Sequence, residues 1–266
     1  MASNYRFFPK LIISLVFISM IILFIRRAEY LEKYNDFISE AVDTVAVDTL
    51  AQIPEIVKPE SKDFSGGLLA YYPFAGDAKD ASNKKNDGKV LGAMLTTDRY
   101  NLPYNAYRFE KPKQKIVLPK SPSFKSIKNR VSVTAWVKLD GSFGHRTIAS
   151  GGGNWVFSIT NLQPVITLRD VRHSTTIKSD NEITVGTWCF IAFSYSGNYI
   201  NIYFDGKKLF GKYTNISMLK NIDKSPFIGT KHDGSSFSID EVYIYDKALN
   251  SSEISALYQM GRTSDI

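Results

Sequence analysis

The residues able to do chemistry are few and far apart. Histidine occurs three times, at His145, His173 and His232, and each falls in a stretch that reads as a loop. No serine sits in a Gly-x-Ser-x-Gly elbow, so the sequence marks out no nucleophile. Gly151-Gly152-Gly153 lacks the Gly-Lys-Ser/Thr ending of a phosphate loop and reads instead as a tight turn before Trp155. Cys189 is the only cysteine, so no intrachain disulfide forms. Its setting, Trp188-Cys189-Phe190-Ile191-Ala192-Phe193, suits a small core residue. No Cys/His spacing suggests zinc. Oxygen donors crowd one loop, where Asp77 and Asp80 stand near Asn86 and Asp87. Such residues either hold a hard cation or bond their own backbone in turns.

Binding is better represented than catalysis. Glycan sites combine an aromatic platform with a few polar groups carried on loops. His145, Arg146, Asn154, Trp155, Arg169, Arg172 and His173 fall around neighbouring loops or strand ends and form the candidate ligand-binding set. His232-Asp233 marks a second polar tip. Two plainer readings stand beside this one. Trp155 is a core residue in the first, and Arg169-Asp170-Val171-Arg172 is a solvated hairpin in the second. The net charge of +7, from 33 basic and 26 acidic residues, is a modest excess. Lysines gather at Lys111, Lys113, Lys115 and Lys120, and again at Lys125 and Lys128 with Arg130. A basic patch suits an anionic glycan or lipid headgroups. No nucleic-acid-binding motif accompanies it, so nucleic acid is not an expected partner.

The elements that position these residues are strands. From Gly67 onward the chain reads as short β runs separated by turn signals. They are expected at 68–74, 106–110, 116–118, 131–139, 146–150, 155–159, 165–169, 175–178, 188–196, 199–204, 207–210, 227–229 and 237–245. Val131-Ser132-Val133-Thr134-Ala135-Trp136-Val137 places its apolar residues mostly on one side, as one buried face requires. Asp205-Gly206 supplies the positive φ angles of a two-residue hairpin turn. So many strands with almost no helix imply a sandwich or barrel. A short helix is expected at 251–260, with Asn250 or Ser251 as its cap and Glu253 at the capping-box position.

The amino-terminal region differs. Leu11 to Ile25 is apolar apart from Ser14 and Ser19. At 1.5 Å per residue it spans about 22 Å, short of the roughly 30 Å hydrocarbon core. Phe7 and Phe8 extend it, and Lys10 and Arg26 can snorkel. Arg26-Arg27-Ala28-Glu29 is a poor cleavage site, so residues 1–27 are expected to be a cytoplasmic tip and uncleaved transmembrane anchor. Residues 28–47 carry apolar positions at spacings of three and four, which suggests a helical stalk able to self-associate or meet a membrane partner. Pro54, Pro59 and Gly66-Gly67 make 48–66 a linker. The globular domain then covers 67–262, with a tail at 263–266. Basic residues on the two sides of the anchor are nearly balanced, so charge does not fix its orientation.

The globular part resembles the laminin-G/pentraxin-like domains of the concanavalin A-like lectin/glucanase superfamily. The likeness is carried by Gly67-Leu-Leu-Ala-Tyr-Tyr-Pro-Phe-Ala-Gly-Asp-Ala-Lys-Asp80, Asn86-Asp87-Gly88 and Val133-Thr-Ala-Trp-Val137. Gly186-Thr-Trp-Cys-Phe190, Ile202-Tyr-Phe-Asp-Gly206, Phe227-Ile-Gly229 and Ile239-Asp-Glu-Val-Tyr-Ile-Tyr-Asp-Lys-Ala-Leu249 continue it in order. The resemblance implies an all-β, two-sheet antiparallel jelly-roll sandwich, here preceded by the single transmembrane helix and helical stalk. It also implies a structural Ca²⁺ held by Asp77, Asp80 and Asn86 with Asp240 from the far end of the chain. In a regular strand Glu241 would point away from that site. Hydrolases of this group place carboxylates as Glu-x-Asp-x-x-Glu on one strand, and no such run occurs here. Expected overall is a non-catalytic binding module for carbohydrate recognition or adhesion, displayed extracytoplasmically by analogy with the group. The alternative is a structural or interaction subunit of a membrane complex that meets a protein partner. A glycoside hydrolase is the least favoured reading.

Overall fold

Alternation of side chains decides which residues meet. In Arg130–Leu139, Val131, Val133, Ala135, Val137 and Leu139 all enter the main core, while Trp136 between them joins a separate cluster on the opposite face. A strand buried on both faces must be central, and this one is: it is flanked by Trp188–Ser196 and Phe237–Tyr245. A computed structural model describes residues 64–262 apart from residue 223. The expected anchor, stalk and tail, and most of the linker, lie outside the described residues. Among the described residues no helix is long and apolar enough to cross a membrane.

Fifteen strands form two antiparallel sheets packed face to face. The first sheet contains β1 (Leu68–Tyr72), β3 (Met94–Thr96), β4 (Ala106–Phe109), β6 (Arg130–Leu139), β11 (Trp188–Ser196), β12 (Tyr199–Phe204), β13 (Lys207–Tyr213) and β15 (Phe237–Tyr245). Its order is β13-β12-β11-β6-β15-β4-β3, and β1 also pairs with β15. The second contains β2 (Lys89–Leu91), β5 (Lys115–Val117), β7 (His145–Ser150), β8 (Trp155–Thr160), β9 (Gln163–Arg169), β10 (Ser174–Lys178) and β14 (Phe227–Lys231). Its order is β10-β9-β8-β7-β14-β5-β2. Hairpin neighbours such as β8-β9 and β11-β12 alternate with pairs distant in sequence such as β6-β15 and β7-β14, as in a jelly roll. Val133, Ile191, Phe193, Trp155, Phe157 and Ile239 are among the fully buried residues between the sheets. A one-turn helix, α1 (Pro122–Lys125), buries Phe124 in the same core.

The outer face of the first sheet is aromatic and cannot stay wet. Trp136, Phe190, Tyr203, Tyr243 and Tyr245 are buried there beneath helix α2 (Ser251–Met260). Ile254 and Leu257 supply its buried side, and Tyr258 stacks on Trp136 with ring centroids 5.6 Å apart. The helix begins with the expected capping box. Glu253 N–H donates to the Asn250 side chain at 2.9 Å, and Asn250 N–H donates to the Glu253 carboxylate at 2.8 Å.

One strand departs from regularity. The pairing of β15 with β6 shifts between Asp240 and Tyr243, and Glu241 adopts a positive φ of 45°. The expectation that Glu241 faces away from Asp240 is therefore corrected, because a bulge breaks the two-residue alternation. Both carboxylates reach the buried Arg99 guanidinium. Arg99 is ion-paired with Asp240 and lies 3.0 Å from Glu241 Oε2. Its Nε donates to the Gly261 carbonyl at 2.7 Å, at the end of α2, and its guanidinium carbon lies 4.9 Å from the Trp136 ring centre. One cation thus joins the β3–β4 loop, β15, β6 and α2.

Burial pushes the Asp240 carboxyl up to about 8. Arg99 pulls it down, while Glu241 and Asp98 push it further up. A carboxyl raised above its unfolded value stabilises the fold fully below that unfolded value, and the contribution fades as pH rises toward 8. Without Arg99 the Asp240 carboxyl moves higher still, so Arg99→Met should lower stability by about 1–3 kcal/mol, the cost of leaving buried polar groups unpaired. Both proteins lose stability in parallel between pH 5 and pH 7, and the deficit should widen only above pH 8, where Asp240 ionises beside Arg99. Urea denaturation of the full chain at pH 5, 7 and 9 checks this; a deficit that already widens between pH 5 and pH 7 would mean that Asp240 is ionised there in the folded wild type.

Candidate functional site

Among the described residues no helix covers the outer face of the second sheet, and the sequence makes that face largely polar. Trp155, Phe157 and Ile159 of β8, and Ile166 and Leu168 of β9, point into the core. The alternate residues face outward. Strand register aligns them in rows across the sheet. Thr230, Thr147 and Ser158 form one row, and Ser150, Val156, Thr167 and Thr176 form another. Thr167 and Thr176 bond through their hydroxyls at 3.0 Å.

A groove of about 320 Å³ crosses this face. His145 and Thr147 of β7, Arg169 at the end of β9, Phe227 of β14, and His232 and Lys224 from flanking loops line it. The two imidazoles lie side by side, with ring centroids 4.9 Å apart. His145 Nδ1 meets the Thr160 hydroxyl at 2.9 Å, and His232 Nε2 meets the Thr147 hydroxyl at 3.1 Å. Burial and the neighbouring His232 hold His145 below its ordinary value, with Asp233 opposing and Arg146 adding to the effect. The Lys115 ammonium stands 5.5 Å from the Phe227 ring centre. Among the described residues no carboxylate lines the groove.

Arg146 sets the loops at one end. It is fully buried, and its five N–H groups go to five backbone carbonyls: Ser235 at 3.1 Å, Gly144 at 3.2 Å, Asn161 at 3.1 Å, Gly141 at 2.9 Å and Phe143 at 2.6 Å. The glycine-rich turn sets the other end. Gly152 has φ +75°, and a Cβ there would run into the Lys224 carbonyl. Lys224 N–H donates to the Gly152 carbonyl at 3.0 Å, so the turn and the lysine loop are fixed together.

The seven sequence candidates for ligand binding divide accordingly. His145 and Arg169 both line the groove, at opposite ends of the strands that form it. Arg146 lies beneath it with every donor used, which removes it from direct ligand contact. Asn154 and Trp155 are fully buried, and Trp155 packs 5.8 Å from Phe193 in the core, so it is no exposed platform. His173 lies elsewhere, in a cleft at the β9–β10 turn, where Asp170 accepts from its ring at 3.1 Å. Arg172 lines that same cleft. Thr147, Lys224 and Phe227 were not singled out in sequence, and His232 appeared there only as a separate tip. His145 and His232 sit on strand ends joined by β7–β14 pairing, which sequence spacing alone does not reveal.

The proposed calcium ligands do not fit a calcium ion. Asp80 Oδ1 accepts from the backbone N–H groups of Tyr71 at 2.9 Å and Ser82 at 2.8 Å. Its Oδ2 accepts from the Ser82 hydroxyl at 2.8 Å and Asn86 N–H at 2.7 Å. Those four bonds fill a carboxylate's acceptor sites. The Asn86 amide donates to Leu69 O at 2.8 Å and to Ser123 Oγ at 2.9 Å. Asp77 is exposed and pairs with Lys79 at 3.1 Å. Asp240 faces Arg99, whose positive charge occupies the place beside that carboxylate. Among the described residues no cluster of three or more His, Cys, Asp or Glu side chains is arranged to hold a metal. The loop is built by turn chemistry, the alternative the sequence left open.

Residues 111–255 match the family model described as the concanavalin A-like lectin/glucanases superfamily. The chain belongs to this superfamily. No curated protein matches it. Solved structures similar to this superfamily member include the binding domain of Paraclostridial Mosquitocidal Protein 1, with a TM-score of 0.63 and 19% identity over 75% of this chain and 53% of that one. The botulinum neurotoxin serotype G binding domain gives a TM-score of 0.60 and 17% identity over 74% and 51%. The binding domain of botulinum neurotoxin DC in complex with SialylT gives 0.60 and 15% over 74% and 52%. The chain spans about half the length of these structures, and the likeness is one of fold.

Two substitutions separate scaffold from metal. Asp80→Ala should lower stability by about 3 kcal/mol, because it strands buried N–H donors. Neither EDTA nor calcium should move the melting temperature of the full chain. A several-degree drop in EDTA, reversed by calcium, would restore the metal site. Arg146→Leu should cost about 3–5 kcal/mol, or roughly 10 °C, by leaving its carbonyls unpaired. Differential scanning calorimetry reads both.

Proposed function

We propose that this domain is a non-catalytic carbohydrate-recognition module that binds sugar in the groove on the outer face of the second sheet. The observation that carries this reading is the grouping of His145, Arg169, Lys224 and His232 with the Thr147 hydroxyl and the Phe227 ring on one open, pre-formed face. Hydroxyl rows and fixed cationic donors match the hydrogen-bonding surface of a sugar ring, and an aromatic ring matches its apolar side. Membership of a lectin-containing superfamily supports it, as does the fold likeness to a neurotoxin binding domain described in complex with SialylT. The non-catalytic part rests on the lack of a Glu-x-Asp-x-x-Glu run and of any internal acid in β6, β11 and β12; Asp240 and Glu241 on β15 are engaged by Arg99. A membrane anchor at 11–25 and self-association through 28–47 belong to the same proposal and rest on the hydrophobic pattern of those segments, while extracytoplasmic display rests on analogy with the superfamily.

A second reading, an interaction subunit of a membrane complex, has its own support. The cleft at the β9–β10 turn measures about 390 Å³ and is bordered by Val171, 88% exposed, and Met218, 59% exposed. A protein partner would cover such residues.

Binding of the full chain to an immobilised glycan panel separates the two. A saturable signal is expected, weakened at least about ten-fold by Arg169→Ala, the scale of one lost charge-assisted hydrogen bond. The melting temperature should be unchanged in that variant. Loss of sugar binding on Val171→Asp, with Arg169→Ala silent, would move the site to the other cleft.

A further inference from the structure

We infer that the sugar bound in this groove carries a negative charge, and that protons govern its binding through the paired imidazoles of His145 and His232. The inference rests on the carbohydrate-binding reading above and names its ligand class. The groove holds four basic side chains from four separate segments. They are His145 on β7, Arg169 at the end of β9, Lys224 in the loop before β14, and His232 just after β14. A neutral sugar needs donors and acceptors in mixture. This set is weighted toward donors, with hydroxyls as the principal acceptors. The imidazole pair at one end of the groove, and Arg169 with Lys224 at the other, are each suited to a carboxylate or sulfate.

Both imidazoles are held in place rather than free to swing away. Each has one ring nitrogen on a threonine hydroxyl, His145 on Thr160 and His232 on Thr147. Backbone contacts fix their spacing: His232 N–H donates to the His145 carbonyl at 3.0 Å. Two like charges at a centroid separation of 4.9 Å oppose one another, so the empty groove disfavours the doubly charged pair.

The charged surroundings are mixed. Asp233, whose carboxylate accepts from the His145 backbone N–H, favours the imidazolium. Arg146 beneath the strand and the neighbouring His232 disfavour it. In the free protein His145 stays below its ordinary value. A bound anion reverses that balance, because it places opposite charge among the imidazoles. Binding then takes up protons. Affinity rises as pH falls through the pKa of the occupied site, and levels off below that of the empty one. Near pH 6 such a site holds an acidic sugar, and above pH 8 it lets go.

The test uses the full chain on a panel of neutral, carboxylated and sulfated glycans at pH 5.5 and pH 8. Signal confined to charged glycans, and at least about five-fold stronger at pH 5.5, is the expected result. The carboxylated and sulfated arms tell which anion the groove takes. His145→Gln with His232→Gln should flatten the pH dependence while keeping the fold, since glutamine retains a hydrogen-bonding group. Raising salt should weaken charged-glycan binding more than any neutral binding. Equal binding of neutral and charged glycans, or a response that is flat in pH, would overturn this inference and leave carbohydrate recognition standing. Binding to no glycan at either pH would overturn both.

Discussion

The buried guanidinium of Arg146 is the interaction on which the groove depends. It lies within β7 between two residues that face the ligand side, His145 and Thr147. An arginine side chain cannot be buried cheaply without satisfying its five N–H groups. Here backbone carbonyls from three loops satisfy all of them: Gly141, Phe143 and Gly144 before β7, Asn161 between β8 and β9, and Ser235 after β14. Two of these carbonyls also accept a backbone N–H, Gly144 from Asn161 at 2.7 Å and Phe143 from Ser235 at 3.0 Å, so the arginine reinforces contacts the loops make with one another. The side chain that looks most like an anion receptor in the sequence is therefore the one that fixes the loops beside which the real receptor groups stand.

A second arginine closes the other sheet in a related way. Arg99 gathers Asp240, Glu241 and the Gly261 carbonyl, and lies against Trp136. The β15 bulge makes this possible by turning two successive carboxylates toward one cation. Breaking a regular strand costs ladder hydrogen bonds, and a positive φ at Glu241 adds strain. The ion cluster offsets both by tying the last helix to the sheet it covers. The relation between the loop after β1 and the end of the chain, expected to run through calcium, is thus divided. Asp80 folds its own loop through backbone donors, while Asp240 serves the β15–α2 junction.

Much of this fold was legible in the sequence because its strands alternate cleanly and are bounded by strong turn residues. The observed β6, β11, β12 and β15 match their expected ranges to within a residue. The Asn250 cap and the Asp205-Gly206 turn also read directly, since capping and positive φ depend on local chemistry alone. Strands β2 and β3 went unseen: three residues are too few for alternation to register, and their pairing with β5 and β4 defines them. The site was half legible. His145 and Arg169 were found by residue type and placement at strand ends. Trp155 was misplaced because an aromatic near a loop reads alike whether it faces solvent or core. Lys224 and Phe227 gave no local signal at all, since only the β7–β14 pairing and the Gly152 contact bring them to the groove.

The two outer faces explain why the open groove lies where it does. Both sheets bury their inner faces, so what differs is the alternate set of side chains. On the first sheet that set is Trp136, Phe190, Tyr203, Tyr243 and Tyr245, an aromatic surface that water would leave exposed at large cost and that α2 must cover. On the second sheet it is rich in threonine and serine, several of which (Thr147, Ser150 and Ser158) are buried among their neighbours and already bonded to protein groups. Such a set carries little apolar area and demands no cover. The hydropathy of the outward positions therefore assigns one face to folding and leaves the other for a polar ligand. The basic side chains then need only stand at the two rims of that face, His145 and His232 where β7 begins and β14 ends, and Arg169 where β9 ends.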